Sequence, residues 1–407
     1  MGTHCRFCAT PVESFMDMGR MPLANNFLGP EDIDDETFFD LKLALCDQCK
    51  SFQIVDLPAA DQIFRPDYPF MTSTSRVVTD HFRVLAETLI DTHFEGKHDP
   101  FVVEIGSNDG TLLKNFAECG IRHLGIEPAA DIAAIASAGG INTTSRFFNA
   151  ETARDVIATE GKANLILGMN VIAHIADIKS VAEGISALLD GYGVFVLENI
   201  YLGDLIANTA YDQLYDEHVF TYSVSSVNNV YSAHGLEIVD VAPVAMQGGS
   251  LRYTLARAGA IEPAPIVGEY LERERSSGLF SQAGLNAFRQ RSEANRDGIR
   301  DIVLGARREG KRVAGYGAAA KSTIILNYCG LSNAEIDYVI DSTPAKQGKV
   351  TPGTHIPIVH PNRFKDDPPD LALLFAWNHI DEIRSKEPEF EARNGRWIVP
   401  MPEPAII

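Results

Sequence analysis

The stretch VVEIGSNDGTLL, residues 102–113, runs from an apolar strand through a glycine-containing turn into the start of a helix. Gly106 and Gly110 supply the turn, and Glu104, Asn108 and Asp109 set polar groups along it. HLGIEP follows and ends its strand on Glu127, 23 residues after Glu104. In a doubly wound α/β sheet, ligands lie beyond the carboxyl ends of the strands. An acidic residue closing the second strand there can accept hydrogen bonds from ribose hydroxyls.

The loop is not the dinucleotide fingerprint, because it reads G-S-N-D-G. Its acidic side chain would face a pyrophosphate at the helix N-terminus, so the pattern suits a cationic or zwitterionic ligand. S-adenosylmethionine has that character: an adenosine without phosphates, a sulfonium and an amino acid end. Glu104, Gly106, Asn108, Asp109 and Glu127 are therefore expected to hold a methyl donor. Asn170 and His174, in ANLILGMNVIAHIAD, meet the same edge of the sheet, and Phe147, Phe148 and Asn149 are candidates for flanking the adenine.

Outward from this unit, short apolar strands alternate with amphipathic helices through GVFVLENI, which indicates a parallel sheet covered on both faces. A helix is expected over about 75–93, and a long polar helical region over 270–310 with a solvated charged face. Alternation restarts at KRVAGYGAAAKSTIILNYCG and continues through IDYVIDS, LALLFAWN and GRWIVP, a second α/β unit. The chain of 407 residues suits two or three domains. The expected division is 1–66, 67–245 and 246–407.

The first unit carries Cys5-Arg-Phe-Cys8 and Cys46-Asp-Gln-Cys49, with 37 residues between the pairs. Each CxxC turn presents two thiolates, and four thiolates suit a structural, tetrahedral zinc site with no open position for substrate. So small a segment has too little core to be stable alone, and metal binding supplies folding free energy. Cys119 and Cys329 stand alone and read as buried small hydrophobes.

Net charge is 35 minus 55, or −20, which argues against a nucleic-acid partner. No apolar run approaches the roughly 18 residues that would span a bilayer, and MGTHCRFCAT lacks a secretory core. A cytoplasmic, soluble protein is the expectation.

In the last unit, Gly315-Tyr-Gly317-Ala-Ala-Ala320 follows a strand and precedes a helix, and Asp341 ends the next strand. That matches a dinucleotide fingerprint and leaves an NAD-dependent nucleotide-sugar oxidoreductase as a rival reading. A non-enzymatic sugar-nucleotide binding module is a second rival. The preferred use of this loop is a diphosphate cradle at the helix N-terminus, formed by Gly317, Lys321 and Ser322. Arg76 and Arg252 are further candidates for the same ligand.

Together, the CxxC pairs, MPLANNFL, EIGSNDG, NVIAHI, YDEHVFTYS and GYGAAAKS occur in the order found in a known family. The chain resembles the zinc-containing, S-adenosylmethionine-dependent sugar C-methyltransferases, across almost its whole length. The resemblance implies three domains: an N-terminal zinc domain, a central Rossmann-like methyltransferase domain and a C-terminal Rossmann-like domain that embraces a nucleotide sugar. It implies methylation at C3 of a nucleotide-linked 4-keto deoxysugar, with thymidine as the expected nucleoside. It also implies His218 as the base, supported by Tyr215 and Glu217, with Tyr68 as an additional active-site tyrosine.

If YDQLYDEHVFTYS (211–223) is helical, Tyr215, His218 and Tyr222 share one face. Tyr222 then faces the substrate, and Glu217 orients the imidazole from the side. Removing a proton next to a ketone needs a base with a pKa near working pH and a donor for the enolate oxygen. An O-methyltransferase would use the same donor site and a His base.

Overall fold

The computed structural model describes residues 3–63, 71–246 and 248–407. Among these residues the chain makes three sheets. The central one has seven strands in the order Leu236–Val244, Ser250–Arg257, Leu189–Ile200, Ala163–Met169, Phe101–Ile105, Arg122–Ile126, Thr143–Thr144. The last five in that order are parallel, and Ser250–Arg257 inserts antiparallel against Leu189–Ile200. Phe101–Ile105 is buried at every position, as a strand covered on both faces requires. The connections diverge on either side of it, which opens a crevice at its carboxyl end.

The first helix of this unit, Arg76–His93, starts where the Ser75 side chain accepts from Val78 N. Its buried positions, Phe82, Leu85, Ala86 and Leu89, repeat at helical spacing and face the sheet. Strand Ser250–Arg257 belongs to the central sheet, so a division of the chain after residue 245 cuts through that sheet.

The N-terminal sheet is antiparallel: Ser14–Pro22, Phe38–Leu45, Phe52–Ile54, and then Phe220–Thr221 from far along the chain. Its apolar face is not self-contained. Met16, Leu41, Leu43 and Phe52 share one core with Phe288, Ile299 and Ile324 of the third unit. The expected shortage of core in this segment is met by borrowing from a neighbour as well as by its thiolates.

The third sheet runs Ile358–Val359, Val339–Ile340, Val313–Tyr316, Leu371–Leu374, Arg396–Val399, Ala405–Ile406, parallel except for the last pairing. The polar region before it is two helices, Pro265–Ser276 and Gln282–Arg308, rather than one. Gly278, at φ 74°, breaks them. The second carries a buried stripe through Leu285, Phe288, Asn295, Ile299 and Val303, so one of its faces is structural. Among the described residues no helix is long and apolar enough to cross a membrane.

Candidate active site

Residues 211–223 do not form a helix, so the condition that put Tyr215, His218 and Tyr222 on one helical face is not met. Tyr211–Gln213 is a single 3-10 turn, residues 214–219 are irregular, and Phe220–Thr221 is a strand. Each piece is held by a different part of the molecule, which outweighs helical propensity. The Tyr211 hydroxyl donates to Asn295 Oδ1 (2.9 Å), and Trp377 Nε1 donates to Asp212 Oδ2 (2.7 Å). Ala24 N donates to Asp216 Oδ1 (2.9 Å), and Asn25 Nδ2 donates to Glu217 Oε1 (2.7 Å). The strand then pairs with Phe52 and Gln53 of the N-terminal sheet.

This scaffold fixes His218. Its Nδ1 lies 2.5 Å from the Gln213 carbonyl, which can only accept, so Nδ1 carries the proton and Nε2 keeps a lone pair. Tyr215 packs its ring against the imidazole at 4.0 Å, and the His174 ring lies 5.1 Å away. Burial lowers the His218 pKa to about 4, with the nearby Lys321 charge adding to the effect and the Gln213 contact opposing it. Burial and the neighbouring His218 lower His174 to about 3. The His218 ring is thus oriented by the Gln213 carbonyl, while Glu217 Oε1 accepts from the Asn25 amide.

His218, His174, Asn170 and Asn199 line one narrow cleft with Ile200 and Phe220, at the carboxyl ends of the Ala163–Met169 and Leu189–Ile200 strands. Asn170 adopts φ 55° at its strand end. Asn199 was not singled out from the sequence, where LEN reads as an ordinary strand terminus.

The adjoining edge carries the first glycine loop. Gly106 has φ 64°, and a Cβ there would come within 2.4 Å of Val171 Cγ2, so glycine is required by both backbone and space. Asn108 N and Ala129 N donate to the two Glu127 oxygens, each at 2.9 Å. The loop is also tied to residues 72–73: Thr72 N donates to Asn108 Oδ1, and Ser73 N to Asp109 Oδ2, each at 2.9 Å. Glu104 is buried, and its Oε2 has no hydrogen-bond partner among the described residues. Burial raises its pKa well above the carboxylate range, with Glu127 and Asp109 adding repulsion. Three acidic groups around an open oxygen fit a ligand that brings positive charge, as the sulfonium and ammonium of S-adenosylmethionine do. Asn149 caps the Ala150–Glu160 helix by accepting from Thr152 N, and Phe147 is exposed.

Several expected residues sit elsewhere. Tyr222 is buried in the central core, stacked with Phe220 at 6.1 Å, and does not line the cleft. Phe148 is core as well. The Ser322 hydroxyl is buried and donates to the Ala319 carbonyl (2.6 Å), because the helix Ala320–Cys329 uses it locally. Arg76 is exposed and pairs with Asp80, and Arg252 pairs with the buried Glu198 (2.6 Å). Glu198 also meets His81 at 2.7 Å. Cys119 is exposed, whereas Cys329 is buried as expected. Tyr68 lies outside the described residues.

The second glycine loop turns on Gly317 at φ 90°. Ala318 N donates to Asp341 Oδ2 and Thr343 N to Oδ1, each at 2.8 Å, so the acidic strand end serves its own loop. Lys321 leaves the helix toward the Tyr211–Gln213 turn. Its Nζ lies 3.2 Å from Asn378 Oδ1 and 5.3 Å from the Trp377 ring centroid, beside the buried Asp212.

The thiolate cluster lies apart from this cleft. Cys5 and Cys49 sulfurs are 3.5 Å apart, Cys8 and Cys46 sulfurs 3.4 Å, and all four lie within 4.8 Å. Zn–S bonds of about 2.3 Å in a tetrahedron separate sulfurs by about 3.8 Å, so the donor set fits zinc closed by four cysteines.

Comparison with known proteins agrees. Residues 5–64 match a zinc binding domain, 79–241 a methyltransferase domain, and 245–402 the C-methyltransferase C-terminal domain. The chain is 37% identical over 408 residues to the C-methyltransferase NovU of Streptomyces niveus, covering 99% of this chain and 96% of that one. Among solved structures, the PH0226 protein of Pyrococcus horikoshii OT3 covers 46% of this chain and 94% of its own (12% identity, TM-score 0.37). The magnesium protoporphyrin IX methyltransferase of Synechocystis PCC 6803 with bound S-adenosylmethionine covers 45% and 82% (11% identity, TM-score 0.33). With zinc held by its four cysteines, the chain belongs to the S-adenosylmethionine-dependent C-methyltransferase family.

Proposed function

We propose that this enzyme methylates C3 of a nucleotide-linked 4-keto deoxysugar in the cytoplasm, with His218 as the general base. The observation that carries the reading is the His218 imidazole, pinned through Nδ1 to the Gln213 carbonyl with Nε2 free, in a cleft beside the donor edge. A neutral imidazole of this tautomer removes a proton from a carbon made acidic by an adjacent ketone. S-adenosylmethionine, when bound, supplies an electrophilic methyl group. Glu104, Gly106, Asn108, Asp109 and Glu127 hold the donor, with Asn170 and His174 at its methyl end and Asn149 near the adenine side.

Tyr215 and Glu217 support His218, the first by ring packing and the second by anchoring the turn to Asn25. The family resemblance implies Tyr68 as a further active-site tyrosine. Gly317 and Lys321 bring the third unit against the sugar nucleotide. The half-buried position of Lys321, beside Asp212 and the Trp377 ring, favours a role beside His218 over a diphosphate clamp. The three chain divisions, 1–66, 67–245 and 246–407, correspond to zinc, donor and sugar-nucleotide functions.

The test uses thymidine-diphosphate-linked 4-keto-6-deoxyglucose in deuterium oxide. Wild-type enzyme should exchange the proton at C3 and methylate there, read by NMR. His218→Asn should lower both rates by about 10²–10⁴-fold while the donor still binds. Normal exchange in that variant removes His218 as the base. A methyl group found at C5, the other carbon flanking the ketone, or on oxygen corrects the regiochemistry.

A further inference from the structure

Asn199 stands at the carboxyl end of the Leu189–Ile200 strand and lines the same cleft as His218. It is 3% exposed, and its Nδ2 is buried with no hydrogen-bond partner among the described residues. Buried donors without partners are rare, because such a group has given up water and received nothing in return. The strand register, which sets Asn199 against Leu251, already determines where this residue lies. An apolar side chain would therefore fill the position without the open donor. An amide kept there, next to a base with a free lone pair, is suited to an acceptor that arrives with the substrate.

We propose that Asn199 is a catalytic residue whose Nδ2–H donates to the carbonyl oxygen adjacent to the carbon that His218 deprotonates. The inference rests on the reading of His218 as base and deepens it. The proton passes from carbon to His218 Nε2, and the C–H electron pair becomes the new carbon–carbon π bond. The carbonyl π pair moves onto oxygen, and Asn199 faces that charge with a fixed N–H dipole. A preorganised donor in a site closed to water acts on charge as it develops and needs no reorganisation. His218 and Asn199 thus divide the enolisation: one takes the proton, the other the oxyanion.

Asn199→Asp keeps the shape and replaces the donor by an acceptor. With thymidine-diphosphate-linked 4-keto-6-deoxyglucose in deuterium oxide, carbon-proton exchange and kcat should both fall about 10²–10³-fold. Donor affinity by calorimetry and KM should stay within about threefold, since the interaction forms mainly in the transition state. Undiminished exchange overturns the assignment. Exchange intact at saturating substrate with donor or sugar-nucleotide affinity weakened tenfold or more also overturns it, and makes Asn199 a binding residue. If the Asp variant does not fold, Asn199→Ala is read by the same criteria. His218→Asn keeps the two readings separate: should it still exchange, the base is another group, while the effect of Asn199 on exchange stands by its own measurement.

Discussion

The two glycine loops, 106–110 and 315–320, are built alike and charged oppositely. Each leaves a central parallel strand, and in each a backbone N–H donates to the acidic residue that ends the neighbouring strand: Asn108 to Glu127, Ala318 to Asp341. Around the first loop lie Glu104, Asp109 and Glu127, with Glu104 Oε2 open. Around the second lie Lys321 and Lys346, whose Nζ donates to the Ala318 carbonyl (2.7 Å). The fold makes a ligand crevice twice, and a few side chains decide what each can face. The first is arranged for a cation. The second directs its lysine toward the turn that holds His218, beside Asp212 and Trp377.

This contrast depends on the turn between the loops, and the largest expected effect comes from releasing it. Strand Phe220–Thr221 completes the zinc unit's sheet, and Asn229 Nδ2 donates to the Cys49 carbonyl (3.2 Å). Cys46→Ser, or metal removal by a chelator, should unfold the N-terminal sheet and reduce turnover to background, since structural zinc supplies folding free energy. Elemental analysis alongside activity checks this, and a metal-free protein that turns over normally uncouples zinc from His218.

A smaller effect sharpens the first loop. Glu104→Gln should weaken donor binding by about 10- to 100-fold through loss of a charged contact. Because the Glu104 pKa is raised in the free protein, its carboxylate forms only as pH rises. Wild-type donor affinity should therefore strengthen with rising pH, and the variant should show a flatter profile by calorimetry. Equal slopes would break the electrostatic account of this loop.

Lys321→Met probes the second loop. The free-enzyme base should titrate near about 4 in wild type, so kcat/KM falls only as pH drops toward that value. Removing a cation that disfavours the imidazolium should raise this pKa and move the acid limb to higher pH. The same burial links folding to pH: the depressed His218 pKa contributes stability above its unfolded value of about 6.5, lost as pH falls toward about 4. An unmoved acid limb would return Lys321 to a purely binding role.

Asp341→Asn should have the least effect on the methyl donor, within about threefold in affinity. Its oxygens serve Ala318 and Thr343 in the other crevice. A large loss of donor binding would mean that the two loops are not separate.

Much of the candidate site was legible because it rests on local pattern. Strand, glycine turn and helix appear in order within EIGSNDG, and the acidic strand end follows at a fixed distance. The paired CxxC turns announce their chemistry by spacing alone. The segment 211–223 is not helical, for the opposite reason. Its six anchors come from Ala24, Asn25, Gln53, Phe52, Asn295 and Trp377, residues between 84 and 192 positions away in the cases of Asn295 and Asn25. No local periodicity encodes such contacts, so Tyr222 fell into the core and Gln213 took over the orientation of His218. Asn199 was passed over because an amide at a strand end looks ordinary until the absence of a partner is seen.

By itself the sequence determined the alternation of strands and helices, the glycine turn after Phe101–Ile105, the pairing of the CxxC turns into one four-cysteine cluster and the family, since each is written in short-range spacing of residue types. The tertiary structure alone decided that the zinc sheet shares a core with the third unit, and that all three units clamp one irregular turn. It also decided which lone pair His218 keeps. Those outcomes depend on burial and hydrogen-bond partners distant in the chain, and such pairings exist only once the chain has folded.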